Sequence, residues 1–348
     1  MKEKECSKKS KKILINIIFI ITLFVLTIYF IFKDQSLYEI IDYIQNAKAG
    51  YLFTAVGMVL IFVCSESVII YYLMRSIQYR VKLLSCIRYS FIGFFVSAIT
   101  PSASGGQPAQ MYFMKKDGID LSISTLVLMV VTIAYKFTLI ILGFMMMFTS
   151  WNFILDKASS VWGVLLLGII INIVIVFALL FLIFKQSFAK RLIAIIIIKL
   201  GKRGWIKNYP KRVSKVLREI DKYDKGAVYL KTHIHVMLIV LFITVIQRIA
   251  LFSVTFLVYK AFGLQGTSAY DIIVLQTFIA IAVDNLPLPG GLGATEWLYK
   301  IFFMDIMGLN LVIPSLVLSR GISYYFIIIG GAIITAISYF SRGKSDLR

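Results

Sequence analysis

Only three cysteines, Cys6, Cys64 and Cys86, and two histidines, His233 and His235, occur in 348 residues. The cysteines share no paired spacing, and two lie in or beside apolar runs, which argues against a disulfide framework and leaves free thiols. The histidines flank Ile234 at the edge of a basic stretch with no further ligand nearby, so no metal site is expected. Acids are scarce as well, 17 against 37 lysines and arginines, for a net charge of +20. Nothing resembles a hydrolytic triad, a nucleotide-binding loop or a metal cluster, so no catalytic residue and no cofactor are assigned. Prolines number six, and four of them, Pro101, Pro108, Pro287 and Pro289, fall in two short segments.

What is abundant is apolar surface. Hydrophobic residues make up 59% of the chain and the mean hydropathy is +0.87, whereas soluble domains are roughly 45–50% apolar. Several runs approach or exceed the roughly 20 residues that cross a bilayer. The expected fold is therefore an all-α polytopic membrane protein, a single transmembrane domain over residues 1–348. In a soluble protein the positive charge would suggest nucleic acid. Here the bases fall mainly between apolar runs, as the positive-inside rule requires. No nucleic-acid partner is expected, and an attraction to anionic lipid headgroups is.

Full spans are expected at Ile13–Phe32, Tyr51–Met74, Leu121–Phe148, Val161–Phe184, Val236–Tyr259 and Leu311–Phe340. The first is too long for a signal peptide and has no small-residue cleavage site, so it is read as retained. Two more apolar runs are too short to cross alone. Residues 86–114 and 271–303 each run into a Pro/Gly break and are read as re-entrant hairpins. The count is then six spans plus two hairpins, and eight full spans satisfy the same charge pattern. Either version puts the basic stretches 1–12, 185–235 and 341–348 on one side, with both termini at the cytoplasmic face of a bacterial membrane. Three spans separate the breaks, so the hairpins enter from opposite faces, the arrangement of an inverted repeat. The strings Ser90-Phe91-Ile92 before Pro101 and Thr277-Phe278-Ile279 before Pro287 carry the same suggestion weakly.

The first break reads Thr100-Pro101-Ser102-Ala103-Ser104-Gly105-Gly106-Gln107-Pro108. The second reads Asn285-Leu286-Pro287-Leu288-Pro289-Gly290-Gly291-Leu292-Gly293-Ala294-Thr295-Glu296. Non-helical backbone at membrane depth survives only where protein buries it or a wet cavity receives it. A half-helix N-terminus presents amides that attract phosphate. Ser102, Ser104, Gln107 and Thr295 add neutral hydrogen-bonding groups. Close packing through small residues is the alternative reading of one break; two breaks with polar neighbours favour a binding site between them. Six ionisable residues fall within or at the edge of spans, where charge is costly and usually functional or paired. Glu66 and Lys136 are read as ties between helices. Asp284 and Glu296 bracket the second break and would attract an amine-bearing headgroup. Arg248 and Arg320 would hold its phosphate or pair with those acids. Gly105, Gly106, Pro289, Gly290, Gly291, Gly293 and Asn285 complete the expected substrate-binding set.

At these motifs the chain resembles the transmembrane domain of lysylphosphatidylglycerol synthase, the multiple peptide resistance factor, and its short stand-alone relatives. The matching text is Thr100 to Gln110 with Tyr112 and Lys115-Lys116-Asp117-Gly118, and, more specifically, Pro287 to Glu296. Where many members carry an acid and an arginine in the first motif, this chain has Gln107 and Gln110, which leaves that motif a neutral hydrogen-bonding role. The resemblance implies a domain that carries aminoacylated phosphatidylglycerol, such as lysyl-phosphatidylglycerol, to the outer leaflet, where it repels cationic antimicrobial peptides. Full-length members add a soluble synthase that moves lysine from lysyl-tRNA to the lipid. This sequence ends at Arg348 with no such stretch, so the translocase half is expected and not the phosphatidylglycerol lysyltransferase. Two alternatives stand beside it: a membrane-embedded transferase using Asp284 and Glu296 as an acid/base pair, and an anchor for a separate synthase through Lys185–His235. Homo-oligomerisation stays open.

Overall fold

The computed structural model describes residues 37–184, 226, 228, 229 and 232–343. The expected span Ile13–Phe32, the basic N-terminus 1–12, most of the basic segment 185–235 and the end of the tail lie outside the described residues. Within them the secondary structure is helical, with no strand. A short amphipathic helix α1 (Leu37–Gln45) precedes the long α2 (Ala49–Ser76). The first broken segment is α3 (Leu83–Ala98), a turn at Pro101–Ala103, and α4 (Gly106–Lys116). Then come α5 (Leu121–Thr149), the short α6 (Trp151–Ala158) and α7 (Trp162–Phe184). After α8 (Ile234–Ala261), the second broken segment is α9 (Ala269–Val283), a turn at Pro289–Gly291, and α10 (Ala294–Met307). The last helix runs as α11 (Val312–Arg320), one wide π-type turn over Gly321–Tyr325, and α12 (Phe326–Gly343).

Among the described residues, five helical stretches are long and apolar enough to cross a membrane: Ala49–Ser76, Leu121–Thr149, Trp151–Phe181, Ile234–Ala261 and Val312–Tyr339. They coincide with the five expected spans that fall on described residues, and the protein is an all-α polytopic membrane protein. The arms of the broken segments are shorter. A helix of 16 residues, the length of α3, reaches about 24 Å, against a hydrocarbon core of roughly 30 Å. The short helices α1 and α6 were not legible as separate elements in the sequence.

Helix α7 shows how the sequence chooses a face. Leu167, Ile170, Val174 and Phe177 are exposed at three- and four-residue spacing, whereas Leu165 and Asn172 are fully buried. The first stripe faces out of the molecule, and α9 covers the second. Gly168 makes that approach possible, because a Cβ there would meet the Ile281 carbonyl oxygen at 2.5 Å and the Ala282 Cα at 2.8 Å.

Two of the four buried apolar clusters among the described residues are large. One gathers Ile69, Leu73, Tyr89, Ile92, Met114 and Leu126 around α2, α3, α4 and α5. The other gathers Phe278, Tyr299, Phe302, Phe303 and Leu316 around α9, α10 and α11. Helices α2 and α8 pack along each other, α12 packs on α3, and the turns of the two broken segments touch. Each broken segment therefore belongs to its own core, and the breaks meet where the cores face each other.

Candidate functional site

The two breaks use the same turn. Pro101-Ser102-Ala103 places Ser102 at φ 51° and Ala103 at φ 52°; Pro289-Gly290-Gly291 places Gly290 at φ 57° and Gly291 at φ 67°. Proline ends the first arm because it has no amide to donate and fixes its own φ. The two left-handed residues then reverse the chain. Glycine adopts that conformation freely, and serine and alanine do so at a cost of roughly 1–2 kcal/mol each. The structural partner of Pro101 is thus Pro289, and the sequence pairing of Pro101 with Pro287 is corrected: Leu288, like Thr100, is the extended residue that enters the turn. The turns are also bonded, since the Ser102 hydroxyl donates to the Leu286 carbonyl at 3.3 Å.

Beside this contact lies a cavity of about 300 Å³. Its wall is mostly apolar, with Phe62, Phe94, Leu251 and Ile327 among the lining side chains, and Ser102, Thr255, Gln276 and Ser319 add neutral polar groups. Three charged residues reach it: Arg248, Asp284 and Arg320. Of the expected set, Gly290, Gly291 and Thr295 also line it. Pro101, Ser104, Gly105, Gly106, Gln107, Asn285, Pro289, Gly293 and Glu296 do not. Gly106 instead lets α4 pack on α3, where a Cβ would strike Ser97 and the Gly93 carbonyl. Gln107 turns to α5 and donates to the Thr132 hydroxyl.

Asp284 ends α9 and is held from α5. The Lys136 ammonium donates to its Oδ2 at 2.6 Å and to the Asn285 Oδ1 at 2.8 Å, and the Tyr135 hydroxyl donates to its Oδ1. Asn172 of α7 completes the cluster, accepting from Lys136 at 3.3 Å and donating to the Ile281 carbonyl at 3.3 Å. Lys136 is therefore the tie between helices that its position in an apolar run suggested, and Asp284 is its partner.

Glu296 is 6% exposed. Its Oε1 accepts from the Arg320 Nε at 2.9 Å, and its Oε2 accepts from the Gly293 amide at 2.7 Å. The carboxylate so caps its own helix, α10. At this half-helix N-terminus the Gly293 amide is therefore taken by an acid of the chain and not left for a phosphate. Arg320 also donates to the Gly290 carbonyl at 3.1 Å and stacks on Tyr324, whose hydroxyl donates to the Ala98 carbonyl at 3.0 Å. Carbonyls from both breaks are thereby tied to the last helix, just where it widens into its π-type turn.

Glu66 accepts from the Gln110 amide at 2.9 Å. Gln110 thus serves as the neutral partner foreseen for the first motif. Arg248 differs from all of these. It is 7% exposed, lies over the Tyr135 ring at 3.8 Å and the Phe62 ring at 5.1 Å, and its Nε has no hydrogen-bond partner. Among the described residues it makes no ion pair. Tyr135, Asn172, Gln276 and Tyr324 were missed at the level of sequence. The available signal was polarity within an apolar helix, clearest for Asn172 and for the adjacent Tyr135 and Lys136. No group of three or more histidines, cysteines or acids is placed to hold a metal ion among the described residues.

A family model described as the lysylphosphatidylglycerol synthase TM region matches residues 13–331. A UPF0104 membrane protein of Archaeoglobus fulgidus is 22% identical over 272 residues, covering 75% of this chain and 78% of that protein.

Proposed function

The chain belongs to the family of lysylphosphatidylglycerol synthase transmembrane regions, and on that premise we propose that it is a lipid translocase of a bacterial cytoplasmic membrane, with both termini on the cytoplasmic side. Its cargo is phosphatidylglycerol or an aminoacylated derivative such as lysyl-phosphatidylglycerol, carried to the outer leaflet. Were the lysyl derivative the cargo, resistance to cationic antimicrobial peptides would be the expected consequence. A separate aminoacyl-lipid synthase is the partner that would supply a modified cargo, and self-association is compatible with the same activity.

One observation carries this reading. Two broken helices touch through Ser102 and Leu286 beside a cavity that holds three charged side chains within an apolar wall. Broken helices that meet at a polar cavity are how transporters place a headgroup site inside a bilayer. The headgroup would enter the cavity while the acyl tails stay in lipid. The transferase alternative is weaker, because Asp284 and Glu296 are each engaged in a separate ion pair and neither is free to act as acid or base for the other.

The test is reconstitution of the full chain into vesicles with tail-labelled phosphatidylglycerol and lysyl-phosphatidylglycerol, read by the fraction of label that an added quencher reaches. Movement of either lipid well above that in protein-free vesicles supports translocation. Movement of neither, beside a working control scramblase, refutes it.

A further inference from the structure

Resting on the translocation reading, we propose that the cavity recognises the phosphodiester of a net-anionic headgroup through Arg248, and that it disfavours a headgroup bearing a charged amine. The argument begins with the charges. Each acid near the cavity already has a partner: Asp284 has Lys136 and Tyr135, and Glu296 has Arg320 and the Gly293 amide. Glu66, on α2 beside α8, accepts from Gln110 and does not line the cavity; it and Asp284 attract Arg248, but neither makes a direct ion pair with it. An arriving ammonium would have to displace one of these donors to find a carboxylate.

Arg248 is the reverse case. It lines the cavity, is more than nine-tenths buried, and makes neither an ion pair nor a hydrogen bond among the described residues. A cation inside a membrane protein normally faces a partner or a site. Tyr135 covers one face of the guanidinium and Phe62 lies near it. Aromatic stacking supports the cation without using its N–H groups. What is left for a ligand is the edge of the guanidinium, whose planar fork fits a phosphodiester through paired hydrogen bonds.

The remaining wall suits the rest of such a headgroup. Thr255, Gln276 and Ser319 are neutral and can meet hydroxyl groups, and Phe94, Leu251 and Ile327 are apolar. About 300 Å³ accommodates a headgroup and not two acyl chains, a volume at the lower end of ordinary ligand sites. Phosphatidylglycerol has this combination, one phosphodiester charge with uncharged hydroxyls. Glycerophosphoglycerol, the same phosphodiester without acyl chains, shares it, so both are probes.

The decisive experiment compares headgroups on the wild-type chain in vesicles, using tail-labelled phosphatidylglycerol, phosphatidylethanolamine and lysyl-phosphatidylglycerol. The expected result is movement of phosphatidylglycerol at least tenfold faster than of the other two. Arg248→Gln should lose at least tenfold of that rate, and Arg248→Lys should keep a larger part of it. Equal or faster movement of lysyl-phosphatidylglycerol overturns the proposal and leaves translocation standing, as does an Arg248→Gln protein, monodisperse in detergent, that moves phosphatidylglycerol at the wild-type rate. If Arg248→Gln does not fold, the wild-type headgroup comparison decides alone. If no lipid moves beside a working control, the translocation reading fails, and binding in detergent decides the site. A rise in melting temperature with dioctanoyl-phosphatidylglycerol but not with glycerophosphoglycerol, seen in wild type, reduced in Arg248→Lys and absent in Arg248→Gln, supports the lipid phosphodiester site. An equal rise with glycerophosphoglycerol, or none with either, overturns it.

Discussion

The ammonium of Lys136 on α5 sits 2.6 Å from the carboxylate of Asp284 at the end of α9. This ion pair fixes the second break against a full-length span, and Tyr135, Asn172 and Asn285 close around it. Removing one member of a buried pair leaves the other charge without compensation, typically at about 3–5 kcal/mol. Lys136→Met and Asp284→Asn should each lower the melting temperature in detergent strongly, and the double variant should lie closer to wild type than either. A double variant as unstable as the sum of the singles would mean that the two residues are not energetically coupled.

Arg248 carries a different expectation. Among the described residues it makes no direct ion pair, although Asp284 and Glu66 lie close enough to attract it, so Arg248→Met should change the melting temperature of the lipid-free protein far less than Lys136→Met does. Differential thermal unfolding in detergent, freed of lipid, measures it. A marked loss of stability would show that the guanidinium has a structural role in the empty protein.

The two turns allow a reciprocal substitution. Gly290 has φ 57°, and a Cβ there would run into the Tyr324 ring, so Gly290→Ser should destabilise by about 1–2 kcal/mol or more. Ser102 has φ 51° in the equivalent place, and Ser102→Gly should be neutral or stabilising by up to about 1 kcal/mol, minus its bond to Leu286. Melting temperatures of the pair, taken together, check the shared geometry.

Gly168 tests the contact between α7 and α9. Gly168→Val places methyl groups against the backbone of Ile281 and Ala282, and overpacking of this kind costs about 1–3 kcal/mol. Gly163, one turn or so earlier on the same helix, has nothing within 4 Å of a built Cβ. Gly163→Val should therefore leave the melting temperature near wild type, and a similar loss at both positions would point to helix propensity and not to packing.

Much of the fold was readable because a bilayer imposes a one-dimensional rule. Twenty or so apolar residues make a span wherever they occur, so Tyr51–Met74, Leu121–Phe148 and Val236–Tyr259 were legible almost to their ends. The breaks were legible too, since Pro101 and Pro289 cannot continue a helix and glycine tolerates the turn that follows. The pairing of the breaks was not. Pro287 and Pro289 are equally good helix breakers in the sequence, and only the backbone angles identify the second as the counterpart of Pro101.

Composition and spacing by themselves determined that this is a helical membrane protein with two interrupted segments, because hydropathy and proline chemistry act locally along the chain. They also marked the six ionisable residues at membrane depth. Which acid meets which base was decided only by tertiary structure. Lys136 and Asp284 lie 148 positions apart, Glu296 caps its own helix before it reaches Arg320, and Arg248 is left facing the cavity. Coulomb attraction and hydrogen bonding depend on distance in space, and that distance is set by how α5, α8, α9 and α11 pack.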